Sequence, residues 1–291
     1  MTSEAARLKV GVIGPGRAGS VLAAALAGAG HHVVAAYAVS DASKQRAADL
    51  LPDAVLLGIE QVFERSDLVL LTVPDDTLPS LAAAIAENDW CRPGQFVVHS
   101  SGRYGIAVLA PLAAKGAIPL ALHPAMTLNG SSMDLERLAG CPFGVTATED
   151  LLPVAAALVV EMGGEPMYVA EERRVQYHAA MAHGANHLVT LIADAMDLLA
   201  GAGIEQPNRF LAPLLSAALD NSLRFGDRAL TGPVSRGDAA TLASHLAVLN
   251  EESPEVAAAY RVMARRTADR AVAAGLLDPV SAAEVIAVLG E

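Results

Sequence analysis

A glycine-rich turn near the start of this 291-residue chain separates a short β-branched segment from an alanine-rich segment. Residues 8–14 have the composition of a strand, and residues 17–29 have the length and alanine content of a helix. The turn follows the pattern G-x-G-x-x-G and consists of Gly14, Pro15, Gly16, Arg17, Ala18 and Gly19. A strand that enters a helix through such a turn is typical of a parallel α/β sheet.

The spacing of the three glycines suits a diphosphate. The first glycine allows the tight turn, the second lets the backbone approach a pyrophosphate, and the third lets the helix pack closely on the strand. N–H groups in the first helical turn lack partners within the helix, so they are able to hold phosphate charge. The alternative is an ordinary turn before a core helix. Because strand, turn and helix occur together, we expect all six residues of the turn to contribute to dinucleotide binding.

Strands and helices alternate through the first half of the chain. Further strands are predicted at residues 31–39, 67–73, 96–99, 118–122, 143–146 and 167–169, with helices at residues 42–51 and 78–86. This alternation predicts a Rossmann-type parallel sheet with helices on both faces. The predicted domain covers residues 1–170.

From residue 171 the sequence has the pattern of helices alone. Residues 171–202 contain no proline and are long enough for one helix of about 30 residues. Further helices are predicted at residues 208–224, 239–250, 254–274 and 281–289. We therefore expect an all-α domain over residues 171–291, in agreement with a length that suggests roughly two domains.

Charge and composition exclude several classes of partner. The 32 acidic residues outnumber the 20 basic ones, and the net charge of −12 repels nucleic-acid phosphates and anionic lipid headgroups. No apolar run approaches the ~18 residues that a bilayer requires, and residues 1–9 lack the features of a leader peptide. Cys91 and Cys141 are isolated, which argues against a zinc site or a disulfide framework. We predict a soluble, cytoplasmic protein that binds neither nucleic acid nor membranes.

The end of the second predicted strand indicates which dinucleotide is bound. NAD and FAD sites usually place Asp or Glu there, where its carboxylate binds the ribose hydroxyls. Here no carboxylate occurs before Asp41. The hydroxyls and cations that are able to bind a 2′-phosphate instead belong to Ser40, Ser43, Lys44 and Arg46. We therefore expect NADP, with NAD less favoured and FAD disfavoured, although the two cations also fit an ordinary solvated helix face.

Three other predicted strands end in polar residues, and ligands bind at the carboxyl edge of such sheets. The three groups are residues 72–75, which include Val73 and Pro74, then His99, Ser100, Ser101 and Gly102, and finally His123 and Pro124. Each group alone fits a capped loop. Together they predict a cleft for a nicotinamide and a small substrate, with Val73 and Pro74 on the cofactor side.

The long predicted helix carries polar residues on one face. His178, Ala182 and Asn186 are spaced four apart, so the two polar side chains flank the alanine, and this end of the helix is expected to face the cleft. Two satisfied core polar groups are the alternative. His183 and His187 have the spacing of a metal pair, but a glycine replaces the glutamate of H-E-x-x-H and no third ligand is evident. No metal site is predicted.

A Gly-Pro turn interrupts the helical half at residues 231–238. Asp238 is placed to cap the helix that follows. Arg236 has a planar guanidinium that suits a carboxylate, so it is a candidate substrate anchor, with an ordinary surface arginine as the alternative.

These motifs together resemble one family: Rossmann-like proteins with a helical second domain that often has only the label of a domain of unknown function. The resemblance rests on the glycine-rich turn, the segments at residues 99–102 and 123–124, residues 177–186, and the turn at residues 231–238. The family is related to the 6-phosphogluconate and β-hydroxyacid dehydrogenases and includes the PanG-type ketopantoate reductases. The resemblance implies an NADP-linked reductase, a helical domain that forms a homodimer, and an active site between the domains.

One departure from the wider superfamily concerns the proton donor. Its catalytic lysine lies four residues before an asparagine, and that position here is Ala182. Reduction of a ketone needs a proton donor, and histidine titrates in the right range. His123 or His178 is therefore the candidate acid, Asn186 and Ser101 are candidate donors to the carbonyl oxygen, and the candidate substrate-binding residues are Arg236, Ser100 and Gly102.

The sequence thus favours an NADPH-dependent reductase of a small 2-keto acid, and ketopantoate is the substrate that the resemblance suggests. Two alternatives remain open. The absent lysine is compatible with a non-catalytic NADP-binding or sensor protein. A β-hydroxyacid dehydrogenase or imine reductase that acts on another metabolite is the third hypothesis.

Overall fold

The computed structural model describes residues 7–290 of the chain. It divides into two compact units, Met1–Asn186 and His187–Glu291. The prediction that residues 1–9 lack a leader peptide falls mostly on residues 1–6, which lie outside the described residues. The domain boundary near residue 170 stays a prediction.

The first unit is built on one eight-stranded sheet in the order β3-β2-β1-β4-β5-β6-β7-β8. The strands are β1 Lys9–Ile13, β2 His32–Tyr37, β3 Val55–Leu56, β4 Leu68–Leu71, β5 Phe96–His99, β6 Ile118–Pro124, β7 Pro142–Thr146 and β8 Glu165–Tyr168. Neighbouring strands are parallel except β6 and β7, which are antiparallel. The predicted parallel sheet is therefore confirmed with one reversal, and this reversal sets the start of β7 beside the end of β6.

Helices cover both faces of this sheet. They are α1 Arg17–Gly28, α2 Asp41–Leu50, α3 Ile59–Arg65, α4 Leu78–Glu87, α5 Ala110–Ala113, α6 Met133–Leu138 and α7 Leu152–Glu161. Buried strand residues alternate between two cores, because successive side chains point to opposite faces. Leu68 and Leu70 belong to the core that contains α1 and α7, whereas Val69 and Leu71 belong to the core that contains α3 and α4.

The remaining helices are α8 Arg174–Gly201, α9 Pro207–Phe225, α10 Ala239–Glu252, α11 Pro254–Ala273 and α12 Pro279–Leu289. The division between the two units falls inside α8. In the second unit, α10, α11 and α12 pack around small and branched side chains such as Leu242, Ala268 and Val285. The predicted helical second half is confirmed. No helix within residues 7–290 has the length and apolar character needed to cross a membrane.

Candidate functional site

The glycine-rich turn has the backbone that its sequence predicts. Gly14 adopts a φ of +83°, which only glycine enters without cost, and its amide donates to the Tyr37 carbonyl at 3.0 Å. The Thr72 hydroxyl donates to the Gly14 carbonyl at 2.7 Å. The ends of β1, β2 and β4 therefore meet at this turn.

The other two glycines of the pattern differ in their surroundings. A Cβ on Gly19 would clash with the Thr72 hydroxyl and lie 2.6 Å from the Gly14 carbonyl oxygen, so this position must be glycine for α1 to pack. A Cβ on Gly16 would have only the Gly14 oxygen within 4 Å, at 3.8 Å. Gly16 therefore leaves open space at the first turn of α1, where amides lack helical partners. This open approach fits a diphosphate.

A cavity of about 480 Å³ adjoins the turn. It brings together Gly14, Gly16, Ser40, Ser43, Val73 and Pro74 from the predicted cofactor residues, along with Tyr37, Val39 and Thr72. A pocket of this size, lined mainly by apolar groups with a few hydroxyls and backbone amides, suits a nucleoside. The cavity therefore adjoins the open first turn of α1.

The predicted phosphate-binding residues of α2 have partners of their own. Ser40 caps the helix by accepting from the Ser43 amide at 3.2 Å. The Lys44 ammonium pairs with Asp41 at 3.2 Å, and Arg46 donates to the Ala42 carbonyl at 3.3 Å. Both cations belong to exposed contacts, which cost little to break when a ligand arrives.

The loop after β6 reaches this region, which the sequence did not predict. A Cβ on Gly130 would lie 2.9 Å from Arg46 Cδ and 3.0 Å from Arg17 Cα. The buried carboxylate of Asp134 holds the loop by accepting from the amides of Asn129 at 2.7 Å and Gly130 at 2.8 Å. Gly130 is thus held against both arginines.

A second cavity, of about 340 Å³, lies at the end of β6 and contains both candidate acids. Its lining residues are His123, Pro124, Ala125, Met126, Thr127, His178, Met181, Ala182, Ala185 and Asn186. His178, Ala182 and Asn186 from the predicted face of α8 all line this space. A volume of this size accommodates a small metabolite.

The two histidines lie close together at the wall of this cavity. Their ring centroids are 6.2 Å apart in an edge-to-face arrangement. Gly102 lies against both rings, since a Cβ there would be 2.7 Å from His178 Cδ2 and 2.9 Å from His123 Nε2. The predicted segment after β5 therefore contacts the histidines through the bare backbone of Gly102.

His123 is neutral at physiological pH. Burial, followed by the charges of Arg174 and His178, lowers its pKa to about 4, against a smaller opposing effect from Asp75. Asp75 follows Pro74, which lines the first cavity, so its electrostatic effect on His123 links the two regions. His123 enters any reaction as a neutral imidazole with one N–H.

Other residues after β5 shape the loop itself. His99 is fully buried, accepts from the Ser101 amide at 3.2 Å and contacts the Gly105 carbonyl through Nε2 at 2.8 Å. Burial is also the largest cause that lowers its pKa to about 4. The Ser101 hydroxyl accepts from the amides of Arg103 and Tyr104, both at 3.2 Å. Ser100 is only partly buried, and the roles predicted for Ser100 and Ser101 stay predictions.

Two residues next to the histidines were not identified from the sequence. Tyr177 Oη lies 2.8 Å from His123 Nδ1, and the buried guanidinium of Arg174 lies 5.8 Å from the Tyr177 ring. Both residues belong to the first turn of α8. In the sequence, Tyr177 stands out only because it precedes His178. Nothing in the sequence indicates that Tyr177 contacts His123.

Arg236 lies in the second unit and is exposed. Its role as substrate anchor stays a prediction. Asp238 in the same turn caps α10, as expected, by accepting from the Thr241 amide at 3.1 Å. Within residues 7–290 the side chains form no group of three or more potential metal ligands.

Two family models match separate parts of the chain. Residues 2–124 match the Rossmann-like domain. Residues 141–267 match a domain of unknown function, DUF2520. No curated protein matches the sequence significantly.

Solved structures share the fold over nearly the whole chain. A Bacteroides fragilis protein whose name proposes an NADP oxidoreductase has a TM-score of 0.76 at 20% identity, covering 90% of this chain and 98% of its own. Pyrroline-5-carboxylate reductase from Streptococcus pyogenes has a TM-score of 0.60 at 16% identity, with coverage of 91% and 98%. An imine reductase from a Pseudomonas species reaches 0.59 at 16% identity, with coverage of 97% and 92%. The chain is thus built from a Rossmann-like N-terminal domain followed by a helical C-terminal region.

Proposed function

We propose that this protein is an NADPH-dependent reductase of a small carbonyl compound, with a 2-keto acid as the substrate class. The observation that carries the proposal is the placement of two cavities along one sheet edge. One adjoins a glycine-rich turn suited to a diphosphate, and the other holds two histidines. The names of the structures that share this fold, among them an NADP oxidoreductase, add support.

NADP would lie with its diphosphate at Gly16 and the first turn of α1. Its adenosine would occupy the cavity lined by Ser40 and Ser43, and Arg17, Lys44 and Arg46 supply positive charge nearby. The bound cofactor supplies a hydride from its reduced nicotinamide. Val73 and Pro74 line the same cavity, and Asp75, which follows them in the chain, acts electrostatically on His123. NAD would fit the same turn, but it lacks the 2′-phosphate that Lys44 and Arg46 are proposed to bind.

The carbonyl would lie in the cavity of His123 and His178. Asn186 and the histidine N–H groups are donors for its oxygen, which becomes negative as hydride arrives. His123 or His178 provides the proton. Arg236 is proposed to hold the carboxylate, in keeping with its planar guanidinium. Ketopantoate, and kinship to ketopantoate reductases and to the 6-phosphogluconate and β-hydroxyacid dehydrogenases, belong to this proposal.

The test follows the absorbance of reduced nicotinamide with ketopantoate, other 2-keto acids and cyclic imines as substrates. We expect turnover on a 2-keto acid, and a loss of about 100-fold for whichever of His123→Gln and His178→Gln removes the donor. Full activity in both variants contradicts the assignment of the donor.

Two other functions have specific support. Ala182 stands where a general acid is expected, so binding of NADPH without turnover on any substrate would favour a sensor. The names of two proteins that share the fold, an imine reductase and a pyrroline-5-carboxylate reductase, favour a C=N substrate. Turnover on cyclic imines alone would select that alternative.

We also propose a homodimer formed through the helical half. The support is the exposure of large apolar side chains on α9, such as Phe210 at 64% and Leu223 at 80%. A cytoplasmic location is proposed as well, in line with two buried free thiols, Cys91 and Cys141. The acidic net charge of −12 supports the expectation that neither nucleic acid nor a membrane is a partner.

A further inference from the structure

The hydroxyl of Tyr177 lies between the backbone of Gly144 and the ring of His123. A Cβ on Gly144 would lie 2.8 Å from the phenol oxygen. Burial is the largest effect on the pKa of Tyr177 and raises it, whereas the charge of Arg174 and, less strongly, the Gly144 backbone lower it. The same oxygen is 2.8 Å from His123 Nδ1. When the Tyr177 O–H donates to Nδ1, a neutral His123 carries its single proton on Nε2, the nitrogen that faces Gly102.

A buried cation lies beneath this pair. The Arg174 side chain is 1% exposed and donates from Nε to Thr146 Oγ1 at 2.7 Å. Its terminal nitrogens donate to the carbonyls of Ala121 and Gly144, both at 3.0 Å, and of Ser101 at 3.4 Å. These oxygens are all neutral. The guanidinium therefore joins β6, β7 and the segment after β5 to the helix that carries Tyr177. Burial lowers the pKa of Arg174, and the charges of Tyr177 and Glu171 raise it.

We propose that Tyr177 relays a proton to the substrate oxygen through His123, and that Arg174 stabilises the phenolate left behind. The inference rests on the proposed reductase function and specifies how the missing lysine is replaced. Tyr177 and Arg174 act through His123 and do not touch the substrate, so both are positioning residues. His123 is the catalytic residue.

The proton transfer balances without any further reactant. The bound cofactor would supply a hydride to the carbonyl carbon, and the π electrons of the C=O bond would move to the oxygen. That oxygen takes the Nε2 proton of His123 while Nδ1 takes the Tyr177 proton, so the imidazole ends neutral with its tautomer exchanged. The phenolate is much less basic than an alkoxide, because phenols titrate near 10. After product leaves, Nδ1 returns its proton to the Tyr177 oxygen while solvent protonates Nε2, and this restores both the phenol and the starting tautomer.

The pH dependence follows from the groups around His123. Four charged or titratable groups interact electrostatically with His123: Arg174, His178, His99 and Asp75. Tyr177 forms a hydrogen bond with it. The relay needs a neutral imidazole, so activity should hold down to the acid range and fall only as His123 takes a second proton. An imidazolium donor would instead give activity that rises as the pH falls.

The first experiment compares Tyr177→Phe with Tyr168→Phe, a control that removes an exposed hydroxyl from the edge strand β8. We expect turnover to fall about 100-fold in Tyr177→Phe only, with NADPH affinity unchanged in both variants. ¹⁵N spectra of the imidazoles, assigned with His123→Gln, should show an Nε2–H tautomer in the wild type. That preference should weaken in Tyr177→Phe. A wild-type Nδ1–H tautomer, or equal turnover in the two phenylalanine variants, overturns the relay.

The second experiment separates the charge of Arg174 from its hydrogen bonds. Arg174→Gln removes the charge that lowers the His123 pKa, so the imidazole titration and the acid limb of the activity profile should both move to higher pH. Arg174→Lys should leave both near their wild-type positions. Identical titration of His123 in Arg174→Gln and the wild type contradicts the role of Arg174.

The two experiments also separate this inference from the proposed function. If the wild type reduces none of the substrates, the reductase proposal fails, while the imidazole spectra still report the tautomer and titration of His123. If the wild type is active, and the substitutions of Tyr177 and Arg174 change neither the imidazole spectra nor the pH profile, only the relay fails. Thermal melting checks that each variant is folded before either conclusion is drawn.

Discussion

At the residue scale, the phosphate turn contains two glycines whose requirements have different physical origins. Gly19 is glycine because Thr72 and the Gly14 carbonyl leave no room for a side chain. Gly16 has open space, so nothing within the described protein demands glycine there. The proposed diphosphate would supply a reason for glycine at this position, so the two glycines allow folding and binding to be tested separately.

Gly19→Ala and Gly16→Ala should therefore fail in different measurements. Gly19→Ala overpacks the turn, and we expect urea denaturation to show a loss of about 1–3 kcal/mol in the free energy of unfolding. Gly16→Ala should unfold like the wild type yet bind NADPH at least about tenfold more weakly, since a methyl group occupies the diphosphate approach. Wild-type NADPH affinity in Gly16→Ala would place the diphosphate elsewhere.

Local patterns in the sequence revealed the turn, because its residues are adjacent and each glycine has its own geometric reason. The same reasoning located His123, His178 and Asn186, since strand ends and helix faces follow from short-range periodicity. It did not find the roles of Tyr177 and Arg174. Their partners His123 and Ser101 lie 54 and 73 residues away, and only the tertiary fold brings them together.

At the scale of elements, the sequence predicted the helices and strands that have clear boundaries. It missed the elements whose boundaries have no local signal. Helix α7 is apolar along most of its length and showed no helical period. Helix α3 and strand β3 are short and were not predicted. The reversal of β7 depends on pairing with β6, for which a single strand carries no local signal. The loop from β6 to α6 was likewise unassigned, although it meets the two arginines beside the phosphate turn.

That loop should influence which dinucleotide is bound. A methyl group in Gly130→Ala would displace Arg46 and press on the α1 backbone, so we expect NADPH affinity to fall more than NADH affinity. Gly140→Ala is the matched control, because Gly140 also has a positive φ, of +73°, but no atom within 4 Å of its added carbon. Titration of both nucleotides measures the effect. Equal losses for NADPH and NADH in Gly130→Ala would remove Arg46 from recognition of the 2′-phosphate.

At the scale of the whole molecule, the second unit exposes more apolar surface than a lone chain would be expected to keep. On α9, Phe210 and Leu214 lie on one side at 64% and 65% exposure, and Leu219 and Leu223 lie on the opposite side at 52% and 80%. A helix that is apolar on opposite sides is normally covered. A second copy of the chain is the partner that we propose.

The mass in solution tests this assembly. We expect about twice 29.9 kDa by light scattering for the wild type. Leu223→Glu should give the monomer mass, because burial of one such side chain contributes about 1.5–3 kcal/mol per subunit. Val160→Glu is the control, since Val160 has a similar exposure of 60% but lies on α7. A wild-type monomer, or an unchanged dimer in Leu223→Glu, would contradict a dimer formed through α9.

The connection that leaves β6 lies beside both of the regions described above. Its opening residues, Ala125, Met126 and Thr127, form part of the wall around His123, and Gly130 rests on Arg17 and Arg46. One short stretch of backbone therefore borders both the reacting end and the phosphate end of any dinucleotide bound here. A substitution in this stretch that changes the substrate preference would therefore also change the selectivity for the coenzyme. A substitution that changes the coenzyme selectivity would likewise change the substrate preference.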